Sequence, residues 1–165
     1  MEIYWLWLSS IKGIGPVSAK LLLQRFYIPQ RIYSAERDEL EGIEGIGKHI
    51  VEIMSGSKSL AKAEKIMKDC QNNDISILPF DDKLYPEEVR KLRKSPIVLY
   101  YKGKLINESI GIGITGSRNC TEYGKRVAVE AAEFLASKNI TLISGMAKGL
   151  DCYAHTACLN KGDIR

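Results

Sequence analysis

The sequence predicts an α/β chain: a small all-helical domain over residues 1–72, followed by a parallel sheet over residues 73–165. Three observations carry this. Apolar residues recur at helical spacing through the first part, short apolar runs alternate with helical stretches after it, and two of the later strands each end in a glycine-rich loop. The chain has 165 residues, 45% of them hydrophobic, which is enough for one ordinary domain or two small ones. A formal charge of +4 and a pI near 8.8 favour an anionic partner.

Residues 1–55 carry a weak internal repeat. Ile11-Lys12-Gly13-Ile14-Gly15-Pro16 returns as Ile43-Glu44-Gly45-Ile46-Gly47-Lys48, and each copy runs into a helical apolar pattern. Ala19, Leu22, Leu23 and Phe26 follow the first copy; Ile46, Ile50, Ile53 and Met54 mark the second. Pro16 suits a first helical turn, where no N–H is needed. Such turns are the mark of a helix-hairpin-helix pair, in which glycine lets backbone amides at a helix start approach a DNA phosphate. Lys12, Gly13, Gly15 and Lys20 are therefore candidate DNA contacts, whereas Glu44 would repel phosphate from the second turn. The same hairpins also serve simply to join helices or to dock a protein, and that alternative stays open.

Tyr4, Trp5, Leu6 and Leu8 read as core of this module, and His49 as a solvated helical residue. Residues 57–72 read as a helix with Leu60, Ala63, Met67 and Cys70 on one side. Lys58, Lys62, Lys65 and Lys68 lie around it as a solvated face diluted by Glu64 and Asp69. Asn72-Asn73 ends the helix and sets the domain boundary.

Beyond it, residues 75–78 form a short apolar run closed by Pro79. Residues 86–93 read as a short helix with Val89 and Leu92 inward, and residues 97–101 as a strand entered through Ser95-Pro96. Lys83, Arg90, Lys91, Arg93, Lys94, Lys102 and Lys104 outnumber Asp81, Asp82, Glu87 and Glu88, a basic flank suited to a polyanion. Tyr100 and Tyr101 point to opposite faces of their strand, so at most one reaches solvent.

The stretch from Ile110 to His155 organises the rest. Ile110, Ile112 and Ile114 alternate with smaller residues before Thr115-Gly116-Ser117-Arg118. The run Ile140-Thr141-Leu142-Ile143 leads into Ser144-Gly145-Met146-Ala147-Lys148-Gly149. Val127, Ala128, Ala131, Ala132, Leu135 and Ala136 recur at helical spacing between the strands, so the crossover is a helix and the strands are parallel. Loops after parallel strands share one edge of the sheet. Gly116 and Gly145 admit a ligand to the backbone, Arg118 and Lys148 supply charge, and the helices that follow point their positive ends the same way. That chemistry suits phosphate.

Gly111-Ile112-Gly113-Ile114-Thr115-Gly116 has the spacing of a dinucleotide fingerprint, but Gly111 and Gly113 fall inside the strand. The next strand ends in Ser144-Gly145 where a ribose-binding acid is needed, which argues against such a site. Neither loop has the lysine and hydroxyl of a Walker A motif. Cys152, His155 and Cys158 share a helix face, but only Cys120 is left as a fourth ligand, so no metal and no cofactor are expected. Cys152 and Cys158 read as core fillers. Asp151 reads as a helix cap, and His155, one turn on, as its hydrogen-bond partner. Ser144 lacks the elbow that exposes a nucleophile, so no catalytic residue is assigned. Without secretory context the four cysteines are expected reduced. The absence of a signal or a membrane-length apolar run reads as cytoplasmic, with no membrane partner.

At Gly116-Ser117-Arg118, Ser144-Gly145-Met146-Ala147-Lys148-Gly149-Leu150-Asp151 and His155, the chain resembles the DprA/Smf DNA-processing family. Tyr85-Pro86 and Pro96-Ile97-Val98-Leu99-Tyr100-Tyr101-Lys102-Gly103 resemble the segment that introduces that family's domain. The resemblance covers roughly residues 75–162. It implies a Rossmann-like domain behind a SAM-like helix-hairpin-helix domain. It also implies single-stranded DNA held in a positive pocket, protection of incoming DNA, and help in loading RecA during natural transformation and recombination. Gly116, Ser117 and Arg118 would then hold one phosphate and Ser144, Gly145, Lys148 and Gly149 another, supported by Asp151 and His155. Relatives continue past Lys161-Gly162-Asp163, so the sheet is expected to be truncated and its open edge to recruit a second copy, by exchanged strands. Two other readings stay open: a phosphoribohydrolase-like enzyme acting on a nucleotide phosphate, and a protein-interaction module.

Overall fold

A computed structural model describes residues 2–105 and 111–161. Its first unit, Met1–Leu105, is organised by helix α1 (Glu2–Ser10), which is apolar almost all round and must therefore be surrounded. Trp5, Leu6, Trp7 and Leu8 are all buried. Tyr4 is half-buried, edge-on to Tyr33 at 5.2 Å between ring centroids. Around α1 pack α2 (Pro16–Phe26), α3 (Pro29–Ser34) and α6 (Ala61–Asn72). Each fully buried leucine contributes about 1.5–3 kcal/mol, so this helix is the unit's main apolar anchor.

The repeat seen in the sequence is a reciprocal packing device. Between α3 and α6 lie α4 (Arg37–Glu41) and α5 (Lys48–Gly56). Gly13, at φ +95°, is so close to α5 that a Cβ there would lie 2.7 Å from Ile53 Cδ1. Gly45, at φ +83°, stands in the same relation to Leu21 of α2, at 2.9 Å. Leu21 and Ile53 occupy matching positions in the two copies, so each turn is the notch for the other copy's branched side chain, as in a self-complementary interface.

Helix α6 begins at Ala61, later than the sequence pattern predicts, because the residues before it are tied elsewhere. Trp7 Nε1 donates to Ser57 O at 2.5 Å, and the Lys58 ammonium donates to the carbonyls of Tyr33 and Ala35. Lys62 donates to Ser10 O at 2.7 Å. Two lysines of the expected solvated face thus satisfy carbonyls at the carboxyl ends of α1 and α3, a favourable place for a cation.

Strands β1 (Ser76–Pro79) and β2 (Val98–Tyr101) pair antiparallel, Ser76 opposite Tyr101 and Pro79 opposite Val98. Ile97 and Val98 are buried in the same core as α1. By packing, residues 73–105 go with the helices, and the compact units divide after Leu105, whereas the sequence pattern changes at residue 72. The expected parallel sheet is confined to the second unit. Helix α7 (Glu87–Arg90) stops short of residue 93, leaving Leu92 59% exposed where an inward position was expected. Arg90 donates to the carbonyls of Phe80, Asp82 and Tyr85, so it holds this turn together and is no part of a basic flank.

The second unit, Ile106–Arg165, contains β3 (Gly111–Gly113), α8 (Glu122–Ser137), β4 (Thr141–Ile143) and α9 (Leu150–Lys161). The strands are parallel, with Ile112 opposite Leu142. Ala132, Ala154 and Ala157 bring α8 and α9 close together, with Ile114, Val129, Leu142 and Cys158 packed against them. Val127 and Ala131 lie exposed, so the buried stripe is narrower than the sequence pattern. On the sheet's other face Ile143 is 58% exposed and lies across Gly111, whose missing Cβ makes room for it. Ile110, Gly162, Asp163 and Arg165 lie outside the described residues. Among the described residues no helix is long and apolar enough to cross a membrane.

Candidate nucleic-acid interface

The loops after β3 and β4 meet backbone to backbone. Gly149 has φ +89°, and a Cβ on it would lie 2.4 Å from Ser117 O, 2.6 Å from Arg118 O and 2.7 Å from Arg118 Cα. Only glycine permits that approach. Leu150 N, the next donor along, hydrogen-bonds Ser117 O at 3.2 Å. Leu150 then wedges beneath the first loop: a Cβ on Gly116 would lie 2.2 Å from its Cδ1. Arg118 and Lys148 consequently leave from backbone segments in direct contact, and both side chains are exposed.

Several groups assigned to phosphate on sequence grounds are engaged within the loops. Ser117 Oγ donates to Asn119 O at 2.9 Å and accepts from Asn119 N, closing a local turn. Ser144 Oγ donates to Ile114 O at 2.5 Å, tying the end of β4 to that of β3. Gly145 N donates to Asp151 Oδ2 at 3.1 Å. The hydroxyl protons of Ser117 and Ser144 and the amide of Gly145 are thus already committed. Among the described residues, the amides of Arg118, Met146, Ala147 and Lys148 have no acceptor.

Asp151 is only 4% exposed, in the first turn of α9. Its carboxylate ties the helix to the loop before it. The expected bond to His155 is not formed, since Asp151 Oδ1 and His155 Nε2 are both buried without a partner. The carboxylate is engaged instead through Oδ2 by the Gly145 amide. Cys152 is exposed and Cys158 only half-buried, so α9 turns alanines inward where cysteines were expected. Among the described residues no group of three or more His, Cys, Asp or Glu side chains is placed to hold a metal.

Near the loops, two more cations lie over tyrosine rings. Lys125 Nζ stands 4.7 Å from the Tyr153 centroid, joining the first turns of α8 and α9, and the Arg126 guanidinium stands 5.7 Å from that of Tyr123. Neither these pairs nor the wedging of Leu150 is announced by the spacing of the sequence. An apolar residue directly after a loop glycine was the available signal for the wedge.

In the first unit Lys12 and Gly15 are exposed at the first hairpin, and Gly15, the N-cap of α2, has open space beside it. Lys20 is placed differently. Its ammonium donates to Leu92 O at 2.8 Å and Ser95 Oγ at 2.6 Å and lies 4.9 Å from the Phe80 centroid. Burial holds its pKa below the ordinary lysine value. Lys20 staples α2 to Phe80 and to the turn before β2, so its ammonium is already engaged within the unit.

Comparison with known proteins bears on both units. Residues 76–164 match the family model described as DNA recombination-mediator protein A, and residues 7–52 match a SAM-like helix-hairpin-helix tandem. Protein Smf of Synechocystis sp. is 32% identical over 163 residues, covering 96% of this chain and 41% of that protein. DNA processing protein DprA of Bacillus subtilis is 31% identical over 100 residues, covering 59% of this chain and 34% of its own length. The chain therefore spans between a third and a half of these relatives. The crystal structure of DNA processing protein A from Streptococcus pneumoniae matches with a TM-score of 0.63 at 21% identity, over 97% of this chain and 53% of that one, a likeness of fold.

Proposed function

The chain belongs to the DNA recombination-mediator protein A family, and we propose that it binds single-stranded DNA through the crossed loops of its second unit. Arg118 and Lys148 would each hold a phosphate of the strand, with the amides of Arg118, Met146, Ala147 and Lys148 as further donors. The contact of Gly149 with the Ser117 and Arg118 backbone supports this most directly, because it roots both cations in one rigid crossing. Gly116 and Gly145 act by being small, and Ser117, Ser144 and Asp151 shape the loops without touching the ligand. In the first unit, Lys12 and the Gly15 turn are the remaining points for a DNA phosphate.

Protection of incoming DNA and assistance in loading RecA follow from the family and are part of the proposal. Binding without catalysis is favoured over a phosphoribohydrolase-like reading because the Ser144 hydroxyl and the Asp151 carboxylate are turned into the loops. Self-association is proposed through the sheet that leaves Ile143 half-bare. Sedimentation at micromolar protein is expected to read a dimer or larger, and a monomer would contradict it.

The binding proposal is tested by titrating labelled oligo-dT and a duplex of equal length. Oligo-dT is expected to bind tighter, with affinity falling as salt rises, and Arg118→Ala to weaken it for every sequence. Equal affinity for duplex, or an Arg118→Ala protein indistinguishable from the parent, would sink the reading.

A further inference from the structure

Four described non-glycine residues have a positive φ: Tyr27, Asp74, Asn139 and Met146. Three have an ordinary reason. Tyr27 closes α2, and Asp74 and Asn139 stand just past the last turns of α6 and α8, where a left-handed residue ends a helix. Met146, at φ +53°, ends no helix; it sits in the loop between β4 and α9. An unbranched apolar side chain is held there in a conformation that costs roughly 1–2 kcal/mol relative to glycine, although a glycine precedes it. Burial does not offset that cost, since Met146 is 79% exposed, the highest value among the large exposed hydrophobics described. It stands two residues from Lys148, in the loop that crosses Arg118.

We propose that Met146 is a base-contacting residue: its thioether side chain packs against a nucleobase of an unpaired strand whose phosphates lie on Arg118 and Lys148. This rests on the phosphate reading of the two loops and adds to it the feature that selects single strands. Phosphate contacts are the same in single and double strands, whereas the face of a base is offered only when it is unstacked from a partner strand. Methionine fits the task because it is flexible, polarizable and indifferent to which base it meets. The occupant is a polynucleotide and not an apolar peptide, because the surface beside Met146 is formed by exposed cations and amides without acceptors.

The test compares oligo-dT with a base-free deoxyribose-phosphate oligomer of equal length, on parent, Met146→Gly and Met146→Leu proteins. The parent is expected to bind oligo-dT about two- to tenfold tighter than the base-free strand, the range of a sulfur–aromatic contact. Met146→Gly, which relieves the backbone and keeps the fold, should bind both strands alike, and Met146→Leu should retain the preference. A preference that survives in Met146→Gly, or a parent that shows none, overturns the assignment while leaving phosphate binding in place. A parent that binds neither strand overturns the phosphate reading and this inference together.

Discussion

Gly149→Ala puts the largest strain on the crossing of the loops with the smallest chemical change. The added methyl would sit 2.4 Å from Ser117 O and 2.6 Å from Arg118 O, against an ordinary contact of 3.4 Å or more. Both neighbours are backbone atoms, so no side chain can swing aside, and the first loop must retreat by about 1 Å. The left-handed φ adds its own penalty of about 1–2 kcal/mol, and overpacking about 1–3 kcal/mol, for a total of roughly 2–5 kcal/mol. Part of that strain is expected as a lower melting temperature of the second unit. The rest should be relieved by separating the loops, which takes Arg118 and Lys148 out of register. On single strands each lost phosphate contact reduces the salt dependence of log K by about 0.7, so losing the pair removes about 1.4 from the slope. The assay is fluorescence anisotropy with oligo-dT across a salt series, at a temperature where circular dichroism shows the variant folded. A folded Gly149→Ala protein with the parent's affinity and slope would refute the idea that this contact aligns the cations.

Lys20→Met should destabilise the first unit by about 1–3 kcal/mol in urea, because the buried Ser95 hydroxyl and the Leu92 carbonyl lose a charged donor, while oligo-dT affinity stays as in the parent. A loss of DNA binding without loss of stability would show that Lys20 faces the ligand after all. Gly13→Ala and Gly45→Ala should each lower first-unit stability by about 1–3 kcal/mol, through strain and through the clash with Ile53 or Leu21, whereas Gly15→Ala, with open space around it, should change it by a few tenths. Equal effects at Gly13 and Gly15 would remove the case for reciprocal packing of the hairpins.

The features that could be read from the sequence were those set by period and by turn chemistry. Alternation of Ile112 and Ile114, the alanine spacing of α8 and the glycines at both strand ends are local patterns, and they gave the parallel βαβ unit with its loops side by side. The repeat around Gly13 and Gly45 was visible too and marked the helix-hairpin-helix tandem, but the way its two turns pack on each other was not. Gly13 was read as a phosphate contact; what the sequence did not disclose is that the positive φ of Gly13 and Gly45 also seats Ile53 and Leu21. The missed features are long-range. Nothing adjacent to Lys20 in sequence announces Leu92 and Ser95, and nothing next to Lys58 announces the carbonyls of Tyr33 and Ala35. Composition counts such lysines as a positive surface when they are internal donors. The packing of Ile97 and Val98 on the α1 core is likewise invisible to periodicity. In the candidate site, hydroxyls and a carboxylate were recognised as polar groups, but which way each would turn depended on acceptors one loop away.

A double-mutant salt titration addresses the central claim most directly. Oligo-dT affinity is measured from low to moderate salt for the parent, Arg118→Ala, Lys148→Ala and the double variant. Each single change is expected to lower the slope of log K against log salt by about 0.7, and the double change by about 1.4. Slopes that do not move in any variant would mean that the guanidinium and the ammonium at the loop crossing carry no phosphate, and the account would fail.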